Sequence, residues 1–501
     1  MAIAAGALSV QVTLAAGRGK LTITVVDADT GKPIAARMHL KGRGFRRVKP
    51  PGTIFWKDHF VVDGTMTLRL AKGQYTFEME RGPEYKTRGG HFQIDPFAED
   101  SHVIEMHRFV DMSAHGWWSG DLHIHRKWKD LQALMRADDL HVGPVIAWWN
   151  AGGKMRKSTT VPSQPVLFDG NRIADPRGGE DERIGGALLY FRLDKPLDLE
   201  GANKYFPPSI HYLRQARQQE PLHVDAEKPF WWDLPVWLAS GLVDTIGLAN
   251  NHMWRNGALD NEAWGRPRDK VRFPSPLGNA RWSQAIYYKV LECGLRIPPS
   301  AGSASGVLPN PVGYNRVYVH CGSELSTDSW WDHLRQGRVV VTNGPLMIPN
   351  VEGELPGHVF QAAQGESITL QPALQLWTRD KIPYLEVVKN GQVVHEVRLD
   401  DWTEKRGELP PLTFDRSGWF LIRAVTDNST TYRFASTGPY YVEIGGERRV
   451  SRGAAQFFID WIDQRTAEID MADAEQQREV IGSYEQARVF FKGLANRANA
   501  E

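Results

Sequence analysis

The sequence predicts a multidomain chain that is α/β in its centre and all-β on either side. The expected architecture is a distorted βα barrel flanked by two β-sandwich modules and followed by a helical tail. Three observations carry it. At 501 residues the chain is too long for one hydrophobic core. Strict alternation of apolar and polar residues dominates residues 1–112 and 351–447, the period of a half-buried strand. Between them, over 113–350, short apolar runs alternate with segments of helical length, the texture of an α/β unit.

Each region supports its assignment in turn. KLTITVVDADTGKPIAARMHL alternates on both sides of a D-T-G-K-P turn and predicts a hairpin. TMTLRLAKGQYTFEMERG predicts another across Lys72-Gly73, and SHVIEMHRF adds a further strand, together suggesting a small N-terminal sandwich. In the centre, GPVIAWW, GALLYF, VDTIGLA, RVYVH and GRVVVTNG read as strands. QAIYYKVLECG and STDSWWDHLRQG read as helices that stop at Gly294 and Gly337. Alternation returns over 351–447, including YLEVVKNGQVVHEVRL with its N-G turn, and predicts a second sandwich. Residues 448–501 read as amphipathic helices packing on the body, with Phe457, Phe458, Trp461 and Ile462 on one face and Val480, Tyr484, Ala487 and Phe490 on another.

Composition narrows the function classes. Sixty basic and fifty-nine acidic residues leave a net charge of +1, so the whole chain carries no electrostatic footprint for nucleic acid or an anionic membrane. No apolar run reaches the length of a membrane-spanning helix. The small, apolar N-terminus reads as a trimmed signal remnant or a flexible lead-in, which favours an exported or periplasmic location over the cytoplasm. Two cysteines, Cys293 and Cys321, form no disulfide framework, and whether they pair stays open. Oligomeric state is not legible, and the expected partner is a small-molecule substrate.

The segment GDLHIH, residues 120–125, places Asp121, His123 and His125 at every second position. On a strand they share one face, and two imidazoles at that spacing can hold one ion with a carboxylate beside them. His223, in PLHVD with Asp225 on the same face, and His252, in the exit loop NNHMW, are the other candidate imidazole ligands. The acidic stretch Glu180-Asp181-Glu182 precedes the apolar strand GALLYF, and Glu180 or Glu182 is a candidate oxygen ligand or general base. The tryptophan doublets GWWSGD, AWWN and FWWD adjoin these segments. One ring of each pair can line a pocket for an aromatic, apolar or sugar-like substrate, although core packing is the commoner role.

GDLHIH, the later His223 and the tail LRQGRVVVTNGP resemble the metallohydrolase branch of the polymerase-and-histidinol-phosphatase (PHP) superfamily, over about residues 115–350. The likeness is greatest to the CehA/McbA group that includes carbaryl hydrolase. The resemblance implies a distorted βα barrel that binds divalent metal and hydrolyses ester, carbamate or phosphoester bonds. It implies His123, His125 and His223 as ligands, with Glu180 or Glu182 as the glutamate that opens a following strand. Two elements depart from the family: AWWNAGG (147–153) stands where many relatives have T-D-H, and GSASG (302–306) where they have G-S-D-x-H. The expectation is therefore a single ion in a mostly histidine shell, zinc first and manganese or iron next. His123, His125, His223, His252, Glu180 and Asp121 are the candidate ligands.

The implied reaction is attack by a metal-activated water. Glu182 or Asp225 accepts the proton, and Lys154, Arg183 or Asn251 stabilises the developing oxyanion. GSASG reads as a tight turn or as a source of backbone N–H donors. A binding protein for glycans or cell surfaces on a decayed hydrolase scaffold is the competing expectation.

Overall fold

The computed structural model describes residues 17–157 and 161–501. The expectation about the N-terminal lead-in lies outside the described residues. The chain divides into two compact units, Met1–Arg81 with Lys86–Arg108, and Gly82–Tyr85 with Phe109–Glu501.

Alternation shapes the first unit as expected. In Arg18–Asp27, Leu21, Ile23 and Val25 are buried while the residues between them are partly exposed. The strands form two sheets. One orders Thr65–Ala71, Arg18–Asp27 and Glu99–Met106; the other orders Phe55–Trp56, His59–Asp63, Ala35–Lys41, Gly73–Glu80 and Arg88–Ile94. Both expected hairpins are corrected. The strands flanking D-T-G-K-P, and those flanking Lys72-Gly73, lie in different sheets, so each turn carries the chain from one sheet to the other. Alternation reports a buried face; it does not choose the pairing partner.

The second unit is mixed α/β. Val142–Ala151 pairs in parallel with Arg172–Arg183, which pairs antiparallel with Gly186–Phe191, which in turn pairs antiparallel with His223–Ala226. Parallel pairs then join His223–Ala226 to Thr245–Ala249, and Thr245–Ala249 to Pro299–Ala301. Leu122 N donates to Ala301 O, and Ile124 bridges both Val145 and Ser305. The segment 121–125 thus lies between the first and the last strand of this succession. Gly186–Phe191, which runs against its neighbours, departs from the expected mostly parallel sheet.

Hydrogen bonding also runs outward from this segment. Trp117–Gly120 pairs with Arg316–His320, that strand with Val339–Thr342, and that one with Phe434–Thr437. Strands of the 351–447 region therefore join the sheet of the central region, across the expected division at 350. The N-G hairpin forms as expected between Tyr384–Lys389 and Gln392–Arg398.

The expected helices form at Gly278–Glu292 and Thr327–Arg335. Ser326 caps the second through a reciprocal pair with Ser329. Arg452–Glu468 and Ala474–Asn496 make the C-terminal helical pair, burying Phe458, Trp461 and Ile462 from one helix and Val480, Tyr484, Ala487 and Phe491 from the other. Cys293 and Cys321 are both free thiols. Among the described residues, no helix is long and apolar enough to cross a membrane.

Candidate metal centre

Regular pairing of Trp117–Gly120 stops at Gly120, and Asp121–His125 continues as a bridged segment rather than the expected regular strand. Asp121, Leu122, His123 and Ile124 are all buried, at 3% exposure or less. Polar residues facing solvent are thereby excluded. Asp121 accepts from the backbone N–H groups of His123 (3.0 Å), Ser303 (2.9 Å) and Gly313 (2.7 Å). Its expected ligand role is corrected: Oδ1 clamps the GSASG stretch to the histidine segment through Ser303, and Oδ2 holds Gly313 further along the chain. The Ser303 N–H points at Asp121, so it is no oxyanion donor. Asp121→Ala strands three buried donors and is expected to cost at least about 3 kcal/mol of stability in chemical denaturation.

Two residues on, His123 and His125 bring their rings together at the mouth of the succession. Their Nε2 atoms lie 2.9 Å apart, and Glu180 Oε2 lies 3.0 Å from His125 Nε2 and 3.5 Å from His123 Nε2. Glu180 comes from within strand Arg172–Arg183, not from a loop before a strand. On that strand Glu180 and Glu182 face the cavity, whereas Asp181 is held by Arg183 (2.8 Å) and Asn150 (2.7 Å). Glu182 accepts from Trp149 Nε1 at 3.1 Å.

His123 Nδ1 lies 3.1 Å from Glu227 Oε1. Glu227 is in turn fixed by Lys228 Nζ (2.5 Å), Asn251 Nδ2 (2.8 Å) and Trp231 Nε1 (3.2 Å). A carboxylate on one imidazole nitrogen aims the other at a metal, which is the common outer partner of a histidine ligand. Glu227→Gln is expected to weaken metal binding about 10- to 100-fold with the fold intact, read by competition against a chromophoric chelator.

Charge tests whether these residues fit a cation. Glu180, Glu182 and Glu227 line one cavity of ≈ 160 Å³, and Lys228 is the only lysine or arginine among the described residues lining it. Burial disfavours every charge here, so the excess of carboxylates must be met from nearby. Without a cation, Glu180 is held below the usual carboxylate range by the His123 and His125 rings, against the effect of burial. His123 is pushed up by Glu180 and Glu227, again against burial. Burial first, then the Glu180 and Glu227 charges, push Glu182 up to about 8. Two facing Nε2 atoms, a buried carboxylate oxygen without a hydrogen bond and a surplus of negative charge together suit a divalent cation.

The remaining expected site residues fall elsewhere. His223 opens strand His223–Ala226 and does not line the cavity; its Nε2 lies 2.9 Å from Thr245 Oγ1 and its ring 4.7 Å from that of Trp331. Asp225, the next residue on that face, accepts from Thr245 Oγ1 (2.6 Å) and from Ser300 Oγ. Both roles are corrected: these residues fill the buried interior below the site. His252 does line the cavity, but its ring packs on Phe230 at 5.2 Å and it is not in the group formed by His123, His125 and Glu180. Asn251 also lines it, with its amide nitrogen committed to Glu227. Lys154 is exposed on Lys154–Lys157 and does not line the cavity. Arg183 is occupied by Asp181 and the Pro207 carbonyl.

Glu227 and Lys228 were not foreseen. The signal was the two-residue period itself: 223, 225 and 227 share a face, and only the last reaches the cavity. Of the tryptophan doublets, Trp149 and Trp231 contribute one ring each to the lining, joined by Trp264.

No family model matches the chain, and no curated protein matches it. Among solved structures, the Bacillus anthracis TIE protein is 20% identical over 22% of this chain and 19% of that one. Its TM-score is 0.16, a likeness that carries no argument about fold or activity.

Proposed function

We propose that the chain is a metal-dependent hydrolase of the PHP type, acting on an aryl or apolar ester or carbamate. The succession of strands from Val142–Ala151 round to Pro299–Ala301, with 121–125 between its ends, is read as the distorted βα barrel of that family. The observation that carries the proposal is the convergence of His123, His125 and Glu180 in a buried cavity that is short of positive charge.

In this reading His123, His125 and Glu180 hold the ion, and Glu227 orients His123. A divalent cation there supplies Lewis acidity to water and to a substrate oxygen. Glu182, on the cavity face beside Glu180, takes up and returns the proton at its carboxylate, with the Trp149 N–H fixing its orientation. Lys228 holds Glu227 and places positive charge at the cavity wall. Trp149, Trp231, Trp264, Leu259 and Leu308 exclude water and offer an apolar wall to the substrate.

That wall favours a carbonyl substrate over a phosphoester. Among the described residues, Arg126 does not line the cavity and the one lysine that does is engaged by Glu227, so these residues form no phosphate clamp there. Turnover of matched aryl esters, aryl carbamates and aryl phosphates by metal-loaded protein tests the proposal. Ester or carbamate turnover lost on chelation and restored by zinc or manganese is the expected result. Protein that binds no metal and turns over none of the three is instead a binding protein.

A further inference from the structure

The N-terminal unit carries a second group of ligand-type side chains. The registers Arg37↔Val61 and Met38↔Phe60 bring His39 beside His59, while Arg37↔Glu80 and His39↔Glu78 place the two glutamates on the other flank. Met38, Phe60 and Met79 point to the opposite face and are fully buried. The polar row is buried as well: the His39 and His59 side chains are 6% and 2% exposed. Asp58, from the turn before strand His59–Asp63, closes the group at 25% exposure and gives it an opening to solvent.

The contacts repeat those of the central site. Asp58 Oδ1 lies 2.9 Å from His59 Nδ1, and Oδ2 lies 3.4 Å from His39 Nδ1. On its far side His39 Nε2 lies 3.4 Å from Glu80 Oε2, and Glu80 is held by Arg37 at 2.6 Å. His39 thus stands between a cation-anchored carboxylate and an imidazole–carboxylate pair, as His123 stands between Glu227 with Lys228 and His125 with Glu180. His59 Nε2 is buried and has no hydrogen bond, whereas His39 Nε2 faces the Glu80 carboxylate. Such an orphaned nitrogen in a buried row calls for an ion or a water. One nitrogen of each ring and an Asp58 oxygen lie within 4.8 Å of one another.

We propose that His39, His59 and Asp58 form a second divalent-metal site, structural in role, with Glu80 as the residue that orients His39. Two imidazoles and a carboxylate suit zinc. The ion ties the turn at Asp58 to the middle of the five-stranded sheet. The site lies wholly within the N-terminal unit and does not rest on the hydrolase reading.

The test uses the full chain carrying His123→Ala and His125→Ala, which disables the central group. After loading with zinc and dialysis, this protein is expected to retain a single zinc per chain by elemental analysis. Adding His59→Gln or Asp58→Asn is expected to weaken binding by more than the roughly 10- to 100-fold that loss of an orienting partner costs. Cobalt in place of zinc should give a visible absorption band that the same substitutions abolish. Asp58 is partly exposed, so Asp58→Asn keeps the fold, and circular dichroism verifies this. In the chain with its central group intact, His59→Gln should lower the zinc content by one and leave ester turnover unchanged. Absence of zinc from the His123→Ala/His125→Ala protein overturns the proposal, as does zinc retained undiminished after His59 and Asp58 are replaced.

Discussion

Replacing His125 with alanine is expected to abolish metal binding at the central site, and turnover with it, while the protein stays folded. The His125 Nε2 atom is the point where His123 (2.9 Å) and Glu180 (3.0 Å) meet, and the side chain sits at the cavity wall against Trp149. Removing it deletes a ligand rather than an orienting partner, so metal affinity should fall by more than about 10- to 100-fold. Turnover should fall further than the ~10²–10³-fold that losing one electrostatic donor costs. The fold survives because 121–125 is held by the Asp121 clamp and by the backbone bridges of Ile124, none of which uses the His125 ring. Thermal melts with and without chelator give a second readout. Chelation should lower the melting temperature of the native protein, because the ion binds only the folded state, and should lower that of His125→Ala by less, since the central ion is already lost there. Full turnover by His125→Ala would sink the assignment of this site.

Gly306→Ala is expected to cost about 2–6 kcal/mol, combining backbone strain of roughly 1–3 with steric overpacking of roughly 1–3. Gly306 has φ +106°, a conformation open to glycine and strained for alanine. A Cβ there would lie 2.5 Å from the His125 carbonyl oxygen and 3.1 Å from the His125 Cβ. The chain must therefore move the histidine it packs on, so metal affinity should drop with stability. Gly201 provides the control, with φ +79° and nothing within 4 Å of a built Cβ. Gly201→Ala carries the strain alone and should leave metal binding untouched. Equal losses at the two positions in denaturant melts and metal titrations would show that close packing on His125 is not what Gly306 supplies.

These two positions show how unevenly the site was legible. His123 and His125 stood out because an i, i+2 pair on one face is a pattern that the local sequence can display. Glu180 and Glu182 stood out as acidic residues beside an apolar run. Gly302 and Gly306 read only as turn residues, since nothing local says that the turn presses on His123 and His125. His223 and Asp225 share the two-residue period of Glu227, so the local pattern points to them as readily as to Glu227. Direction along a face is visible in a sequence; height along it is set by how neighbouring strands are staggered. The stagger that pairs Asp225 with Thr245 leaves Asp225 and His223 in the interior and lifts Glu227 to the cavity.

By itself the sequence determined the alternation that makes the outer regions β, the helical spacing of the tail and the paired histidines of GDLHIH. All are local, because side-chain periodicity and turn chemistry act over a few residues. Only the tertiary structure decided that two apparent hairpins cross between sheets and that strands from beyond residue 351 join the central one. It alone decided that Asp121 is a clamp, that Glu227 with Lys228 stands behind His123, and that His39, His59 and Asp58 meet. Those outcomes depend on hydrogen-bond register between strands far apart in the chain. Register is chosen by burying whole faces at once, not by any residue's nearest neighbours.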